Sequence, residues 1–225
     1  MPAPAAYSRS VFLNCPFDAD YRPLFQALTF AIAACGFTPR SALEAEDSGD
    51  IRILKILDII EQCSYGIHDI SRTESFTAAR PDGSSEWLPR FNMPLELGLF
   101  MGARRFGNKQ QQRKNYLIFD TAPHRFQQFI SDLAGQDIKA HGWPGAGADP
   151  VACTRAISGG ILAVRNWLAT KLDGDLLPGG QRITTKLQQF QAELPAMAAE
   201  FGQAVDDLSF QDLTALMGIW LTNSS

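Results

Sequence analysis

The sequence predicts a doubly wound α/β fold, in which helices cover both faces of a mainly parallel five-stranded sheet. Along residues 10–171, short apolar segments with strand character alternate with longer segments that carry apolar residues at helical spacing. This alternation is typical of parallel sheets whose strands are joined by crossover helices. Five strands in this pattern fit the flavodoxin-like order, which places a ligand site outside the carboxyl ends of the central strands.

Five short segments are predicted to be strands. The first (SVFLNCPF) is an apolar run that ends in a Pro-containing turn, and a later one (NYLIFD) has a similar apolar centre. A buried parallel strand has this character because both of its faces are covered. The predicted strands are residues 10–17, 37–43, 64–70, 115–120 and 137–141.

Helices are predicted between these strands. Residues 21–35 repeat apolar side chains at helical spacing, and Gly36 is a fitting stop. The segment DSGD at 47–50 offers helix-start residues for the amphipathic run at 51–63. The other helical segments are residues 93–105, 124–133 and 152–171, and the last is expected to tolerate Gly159 and Gly160 in its interior.

The C-terminal part is predicted to be a helical appendage, residues 176–225, joined to an α/β domain at residues 1–175 by a segment of hinge composition (LDGDLLPGG). Pro195 is expected to kink the appendage or to begin a new helix, and residues 210–221 form a further apolar helix. The appendage carries a two-heptad apolar seam at 183, 187, 190, 194, 197 and 201. We expect the seam to pack on its own core or against a second copy of the chain, rather than on a foreign partner.

Composition excludes several classes of protein. The chain is 45% hydrophobic and 20% charged, which is typical of a globular protein and not of a disordered one. Apolar runs stay shorter than the roughly 18–20 residues of a membrane-spanning helix, and the start MPAPAAYSRS does not resemble a signal peptide. Four cysteines without C-x-x-C spacing favour reduced thiols in a cytoplasmic protein.

The net charge and the absence of several motifs argue against further classes of function. A net charge of −4 does not favour nucleic-acid binding, and we interpret the basic residues at 104–114 as a solvated turn. The sequence lacks the P-loop and the G-x-S-x-G elbow, and its His, Cys and Asp spacing does not suggest a metal site. We expect His68, inside an apolar strand, to be structural. The polar stretch 71–90 is longer than an ordinary connection, which is typical of functional or mobile loops.

Candidate chemistry concentrates in the segment FNMPLELGLFMGA at 91–103. Glu96 is expected in the first turn of an otherwise apolar helix. Two interpretations are open: the carboxylate is partly buried in an apolar wall, or it complements the helix dipole and points to water. Asp69 ends one predicted strand and Asn14 lies near the end of another, so both are expected beside Glu96 in one crevice at the carboxyl edge of the sheet.

Three motifs in a fixed order also carry a family resemblance. They are VFLNCPFD at 11–18, IRILKILDIIEQCSYGIHDIS at 51–71 and FNMPLELGLFMG at 91–102. Together, over about residues 10–145, they resemble the TIR-like and nucleoside 2-deoxyribosyltransferase-like group. In that group an opening V-F-ϕ-x-x-P-F, with ϕ apolar, precedes a strand ending in D-ϕ-S/T and a helix opening with N-x-x-x-E-ϕ-G-ϕ. Asp69 and Ser71 match the second pattern, and Asn92, Glu96 and Gly98 match the third.

The resemblance implies cleavage of an N-glycosidic bond at a ribose C1′. The matching Glu is the nucleophile of the deoxyribosyltransferases, and in TIR NADases it is essential and engages the nicotinamide-bearing ribose. A carboxylate there can stabilise or trap an oxocarbenium-like centre, so Glu96 is the expected catalytic residue. Asp69 would orient a sugar hydroxyl or Glu96, or would only cap its strand. Substrate-binding roles are expected for Asn14, Phe17, Asn92 and Ser71, although Phe17 also suits the core.

The expected substrate is NAD, which would be hydrolysed with release of nicotinamide; no cofactor or metal is expected. Such NADases often act as self-associating effectors of prokaryotic defence, which makes a homo-oligomer the expected state. The transferases' polar cluster before the Glu has no counterpart at 90–95, and the Trp and Cys that precede it in animal TIR domains are represented only by the distant Trp87. The alternatives are a nucleoside or nucleotide deoxyribosyltransferase or hydrolase, a non-catalytic nucleotide-sensing module, and a catalytically dead structural subunit.

Overall fold

A computed structural model describes residues 6–44, 49, 51–73, 76–79, 85–88 and 90–224, with the backbone alone described at 76–79 and 85–88. A five-stranded, fully parallel sheet forms its centre, with the strand order β2-β1-β3-β6-β7. This confirms the predicted doubly wound, flavodoxin-like class. The strands of the sheet are β1 (Ser10–Asn14), β2 (Thr38–Ser41), β3 (Tyr65–Asp69), β6 (Asn115–Asp120) and β7 (Lys139–Ala140); a separate antiparallel pair is β4 (Phe76–Ala79) and β5 (Ser85–Leu88).

Six α-helices accompany the sheet in the part of the chain that the structure describes. None of the helices in the described ranges is long and apolar enough to cross a membrane. Gly159 and Gly160 lie inside the fourth helix, as predicted. The helices are α1 (Arg22–Ala34), α2 (Arg52–Gln62), α3 (Asn92–Phe106), α4 (Pro150–Ala169), α5 (Gly180–Glu200) and α6 (Phe210–Asn223).

The two faces of the sheet pack against different helices. Val11 and Leu13 of β1 belong to the large core formed with α1 and α4, whereas Phe12 between them packs with α2 and α3. Successive side chains of a strand point to opposite faces, so every position of a doubly covered strand is buried. All five residues of β1 are indeed buried. The same alternation determines on which face of the sheet each polar side chain near a strand end lies.

The C-terminal helices pack on the first face. Phe190 of α5 stacks on Phe30 of α1, with ring centroids 5.5 Å apart, and Trp220 of α6 lies against both rings. The seam side chains from Ile183 to Leu194 are buried in the same core as α1 and α4. Burial of this apolar stripe is the main source of stability for such helices.

One local prediction was wrong. Residues 124–133 form two short 3₁₀-helices, Arg125–Gln128 and Ser131–Leu133, instead of one helix, because His124 (φ 61°) and Ile130 (φ −146°) leave helical geometry. Of the two outcomes predicted at Pro195, a kink or a new helix, the structure shows no new helix, because α5 runs through this residue to Glu200. The proline costs this helix one backbone hydrogen bond, which burial of the seam offsets. The predicted helix-start residues 47, 48 and 50 lie outside the described part of the chain.

Lys114 departs from the interpretation of 104–114 as a solvated turn. Its side chain is buried, and its ammonium donates to the carbonyl oxygens of Ile60 (2.6 Å) and Cys63 at the end of α2. Burial lowers the pKa of Lys114 to about 8. The ring centroid of Phe100 lies 4.6 Å from Nζ. A lysine at a helix C-terminus satisfies carbonyl groups that lack helical partners. Lys114 is therefore a buried residue that caps the C-terminal end of α2.

Close packing at Gly66 gives the first testable prediction. A Cβ atom at this position would lie 2.6 Å from His68 Nε2 and 2.9 Å from Phe100 Cζ, both of which are buried. We expect Gly66→Ala to lower the free energy of unfolding by about 1–3 kcal/mol through overpacking. Urea denaturation followed by circular dichroism would measure the change.

The matched control is Gly102→Ala in α3, where an added Cβ has no atom within 4 Å. That variant should gain about 0.5–1 kcal/mol, because alanine has the higher helix propensity. Equal effects of the two substitutions would contradict the packing described here.

Candidate functional site

The carboxyl ends of β1 and β3 meet the first turn of α3. Asn14, the last residue of β1, donates from Nδ2 to the carbonyl oxygen of Met93 (2.9 Å) and to His68 Nδ1 (3.0 Å). One side chain therefore joins both central strands to the helix that carries Glu96. The Oδ1 atom of Asn14 is buried and has no hydrogen-bond partner among the described residues.

His68 is a neutral core residue, in line with its predicted structural role. Complete burial, together with the charge of Lys114, lowers the pKa of His68 to about 3. Because Nδ1 accepts a hydrogen bond from Asn14, the ring proton of the neutral form resides on Nε2. The ring packs edge-on against Phe100 of α3, with centroids 4.9 Å apart. His68 thus holds Asn14 and α3 in place and is not available to titrate near neutral pH.

Glu96 is buried, with 3% of its surface exposed. It is the fifth residue of α3, one position beyond the first turn in which the sequence pattern placed it. Its Oε2 atom makes no hydrogen bond within the described part of the chain. Burial raises the pKa of Glu96 to about 7, and the nearby positive charge of Arg52 opposes this rise in part. Of the two open interpretations, the structure excludes a carboxylate that points to water and shows a buried carboxyl group.

A buried carboxyl group with a raised pKa has defined chemical abilities. Near neutral pH it exists in both protonation states, so it can act as a base, an acid or a nucleophile. Where water is excluded, its charge interacts strongly with a positive charge that develops nearby. The Oε2 atom, to which no described group donates, is the atom available for such an interaction.

Asp69 is held by a hydrogen-bond network on the opposite face of the sheet. Its Oδ2 accepts from the hydroxyl of Tyr21 and lies 3.1 Å from Nε2 of His141, while its Oδ1 accepts from the backbone N–H of Ser71 (2.7 Å). The backbone N–H of Trp143 donates to Nδ1 of His141, so the proton of a neutral ring lies on Nε2 and faces Asp69. Burial acts to raise the pKa of Asp69, but the contacts with His141, Ser71 and Tyr21 outweigh it and the pKa lies below its usual range.

The remaining predicted substrate residues lie in different environments. Asn92 is exposed at the first position of α3. Ser71 is buried, and its carbonyl oxygen accepts from Arg125 (2.8 Å). Phe17 is half-buried in the loop after β1, edge-on to Phe25 with centroids 5.9 Å apart, and the guanidinium of Arg52 lies 5.9 Å from its ring centroid.

The structure thus brings some predicted residues together and separates others. Asn14 contacts the first turn of α3, the helix that carries Glu96, whereas Asp69 and Ser71 belong to the network on the α1 face. The thiol of Cys15 lies near both carboxylates: burial raises its pKa well above 9, and the charges of Asp69 and Glu96 add to the rise. Cys15 is therefore an uncharged thiol near both groups.

Sequence reasoning missed three residues of this region. Tyr21 and His141 contact Asp69 from distant parts of the chain, and no local pattern signals such contacts. Arg52 could have been found, because crossover helices in this fold begin at the carboxyl edge of the sheet and Arg52 is the first residue of α2.

No three or more His, Cys, Asp or Glu side chains are grouped to hold a metal ion in the described ranges. Comparison with known proteins found no match to a family model, to a curated protein or to a solved structure. The chemistry of the buried carboxyl group is therefore the basis for a functional proposal.

Proposed function

We propose that this chain hydrolyses the N-glycosidic bond at a ribose C1′, with NAD as the substrate and nicotinamide as the leaving group. The observation that carries the proposal is Glu96, a buried carboxyl group whose Oε2 has no hydrogen-bond partner among the described residues, beside the carboxyl ends of the central strands. Doubly wound folds bind their ligands at this edge. The motif resemblance supplies the expected bond and substrate.

The geometry supports a simple reaction sequence. As the C1′–N bond breaks, its electron pair leaves with nicotinamide and C1′ becomes oxocarbenium-like. The Glu96 carboxylate stabilises this positive charge or bonds to C1′ through Oε2. Water then adds at C1′, which breaks the C1′–Oε2 bond where that bond has formed, and loses a proton to the solvent; the products are ADP-ribose and the free Glu96 carboxylate. Asn14 positions the helix that carries Glu96 through its hydrogen bond to Met93.

One observation favours a second candidate, the cleavage of a nucleoside or nucleotide by hydrolysis or deoxyribosyl transfer. A neutral base leaves more readily when it is protonated, and a carboxyl group with a pKa of about 7 can hold the required proton. NAD needs no such proton, because its nicotinamide is already cationic. A cytoplasmic location, self-association and a defence role rest on the sequence pattern and the resemblance.

The test is product analysis by mass spectrometry of the purified chain incubated with NAD and, separately, with nucleosides and nucleotides. Nicotinamide and ADP-ribose formed by the natural chain and lost in Glu96→Gln are the expected result. Free base from a nucleoside would select the second candidate instead.

The matched control is Glu200→Gln, which makes the same chemical change at an exposed helix end. Both assays are repeated at high protein concentration, where self-association would be complete. Full turnover by Glu96→Gln, or binding of nucleotides without any product from the natural chain, would contradict the proposal; the latter would favour the sensing module.

A further inference from the structure

Arg52 lies at the same edge of the sheet as Glu96. It is the first residue of α2, and its side chain is exposed over the ring of Phe17, with 5.9 Å from the guanidinium carbon to the ring centroid. An arginine over an aromatic face is held in a limited set of orientations by the cation–π attraction. Its positive charge is also close enough to Glu96 to influence that carboxyl group.

Two other arginines at this edge are already engaged by the protein. Arg72 forms ion pairs with Asp18 and Asp20 in the loop after β1. Arg125 pairs with Asp120 at 2.7 Å and donates to the carbonyl oxygens of Ile70 and Ser71. These guanidinium groups are neutralised and serve to hold the loops.

Arg52 differs from both. No described carboxylate lies within ion-pair distance of its guanidinium, and no described carbonyl accepts from it. Within the described ranges, the donors of this guanidinium are therefore left for a ligand. A guanidinium suits a phosphate group in particular, because two parallel N–H donors match two phosphate oxygens.

We infer that Arg52 binds a phosphate group of the substrate and makes the site selective for nucleotides over nucleosides that contain the same glycosidic bond. The inference rests on the proposed function, because it takes Glu96 as the group that faces C1′. In a nucleotide the phosphate is attached to the same ribose that carries the scissile bond. An exposed cation at the same edge of the sheet as the buried Glu96 can hold that phosphate while the ribose faces Glu96.

The test compares two substrates that share one scissile bond, NAD and nicotinamide riboside. At pH 8.5, where Glu96 is ionised, Arg52→Gln is expected to lower kcat/KM for NAD by about 10- to 100-fold, the usual loss for a charge-assisted contact. The value for nicotinamide riboside should stay within about threefold of the natural chain, since this substrate has no phosphate. Arg52→Lys should recover part of the preference, because a lysine keeps the charge but loses the paired donors.

The matched control is Arg113→Gln, which replaces an exposed arginine directly before Lys114, at the other end of the sheet. In this variant kcat/KM should be unchanged for NAD and for nicotinamide riboside. An equal loss for both substrates in Arg52→Gln would overturn the inference and leave the proposed function standing. If the natural chain cleaves neither substrate, the proposed function fails, and calorimetric titration with ADP decides the inference separately. ADP binding that weakens at least tenfold in Arg52→Gln supports a phosphate contact, and ADP binding that is absent or unchanged overturns it.

Discussion

Glu96→Gln is expected to lower kcat/KM for glycosidic cleavage by about 10²- to 10³-fold or more while making the folded chain more stable at pH 8. The substitution keeps the shape of the side chain but removes the charge that would stabilise the transition state. It also removes a buried ionised group whose Oε2 accepts no hydrogen bond from the part of the chain that the structure describes. The difference between a pKa of about 7 in the folded chain and the ordinary 4.5 corresponds to a gain of about 3 kcal/mol.

The pH dependence of both properties has a defined sign. Between about pH 4.5 and 7 the folded chain holds a proton on Glu96 that the unfolded chain has lost, so the stability of the natural chain falls as pH rises. Cleavage should rise through the same range, with a midpoint near pH 7, because the ionised carboxylate is the active form. Stability and activity therefore change in opposite directions.

Urea denaturation at pH 5, 6, 7 and 8 would test the stability effect, with Glu200→Gln as the matched variant. Glu96→Gln should lack the fall in stability that the natural chain and the control show. A variant that is less stable than the natural chain at pH 8 would mean that Glu96 has a structural partner, and the site would have to be reassigned.

Asp69→Asn is expected to lower the free energy of unfolding by about 3 kcal/mol, the second large effect. The Asp69 carboxylate is fully buried and accepts from Tyr21 and Ser71 beside His141. An amide group has only one acceptor oxygen, so at least one buried donor would lose its partner, and hydrogen bonds to charged groups are the costly ones to lose. Tyr21→Phe removes one donor and should cost about 1–2 kcal/mol.

Acid titration of stability checks the same network. The pKa of Asp69 is lower in the folded chain, so its stabilising effect is present above the pKa of the unfolded chain and is lost as pH falls through the folded value. Asp69→Asn should remove this part of the acid dependence. Unchanged stability with a large loss of cleavage would contradict a structural role and favour the sugar-orienting role predicted from the motif.

Local patterns were sufficient for the class of fold. The apolar run of β1 predicts a buried strand, and the spaced apolar residues of α1 predict a helix with one buried face. Such elements are stable only when their apolar surface is covered, so the pattern also predicts the layers that cover them. The prediction failed at 124–133, where the apolar residues have helical spacing but two backbone positions do not adopt helical geometry. Burial of Phe126 and Leu133 under the sheet, rather than helix propensity, organises that segment.

For the candidate site too, one part could be predicted from the sequence and another part only from the tertiary structure. The sequence by itself determined that Asn14, Asp69 and Glu96 lie near the carboxyl edge of the sheet, because parallel strands with crossover helices leave their ends there. Only the tertiary structure decided that Asp69 faces α1 with Tyr21 and His141, that Glu96 is buried with a raised pKa, and that the guanidinium of Arg52 is turned towards Phe17. The physical reason is that burial and hydrogen bonding are properties of groups brought together from distant parts of the chain, which no local spacing records.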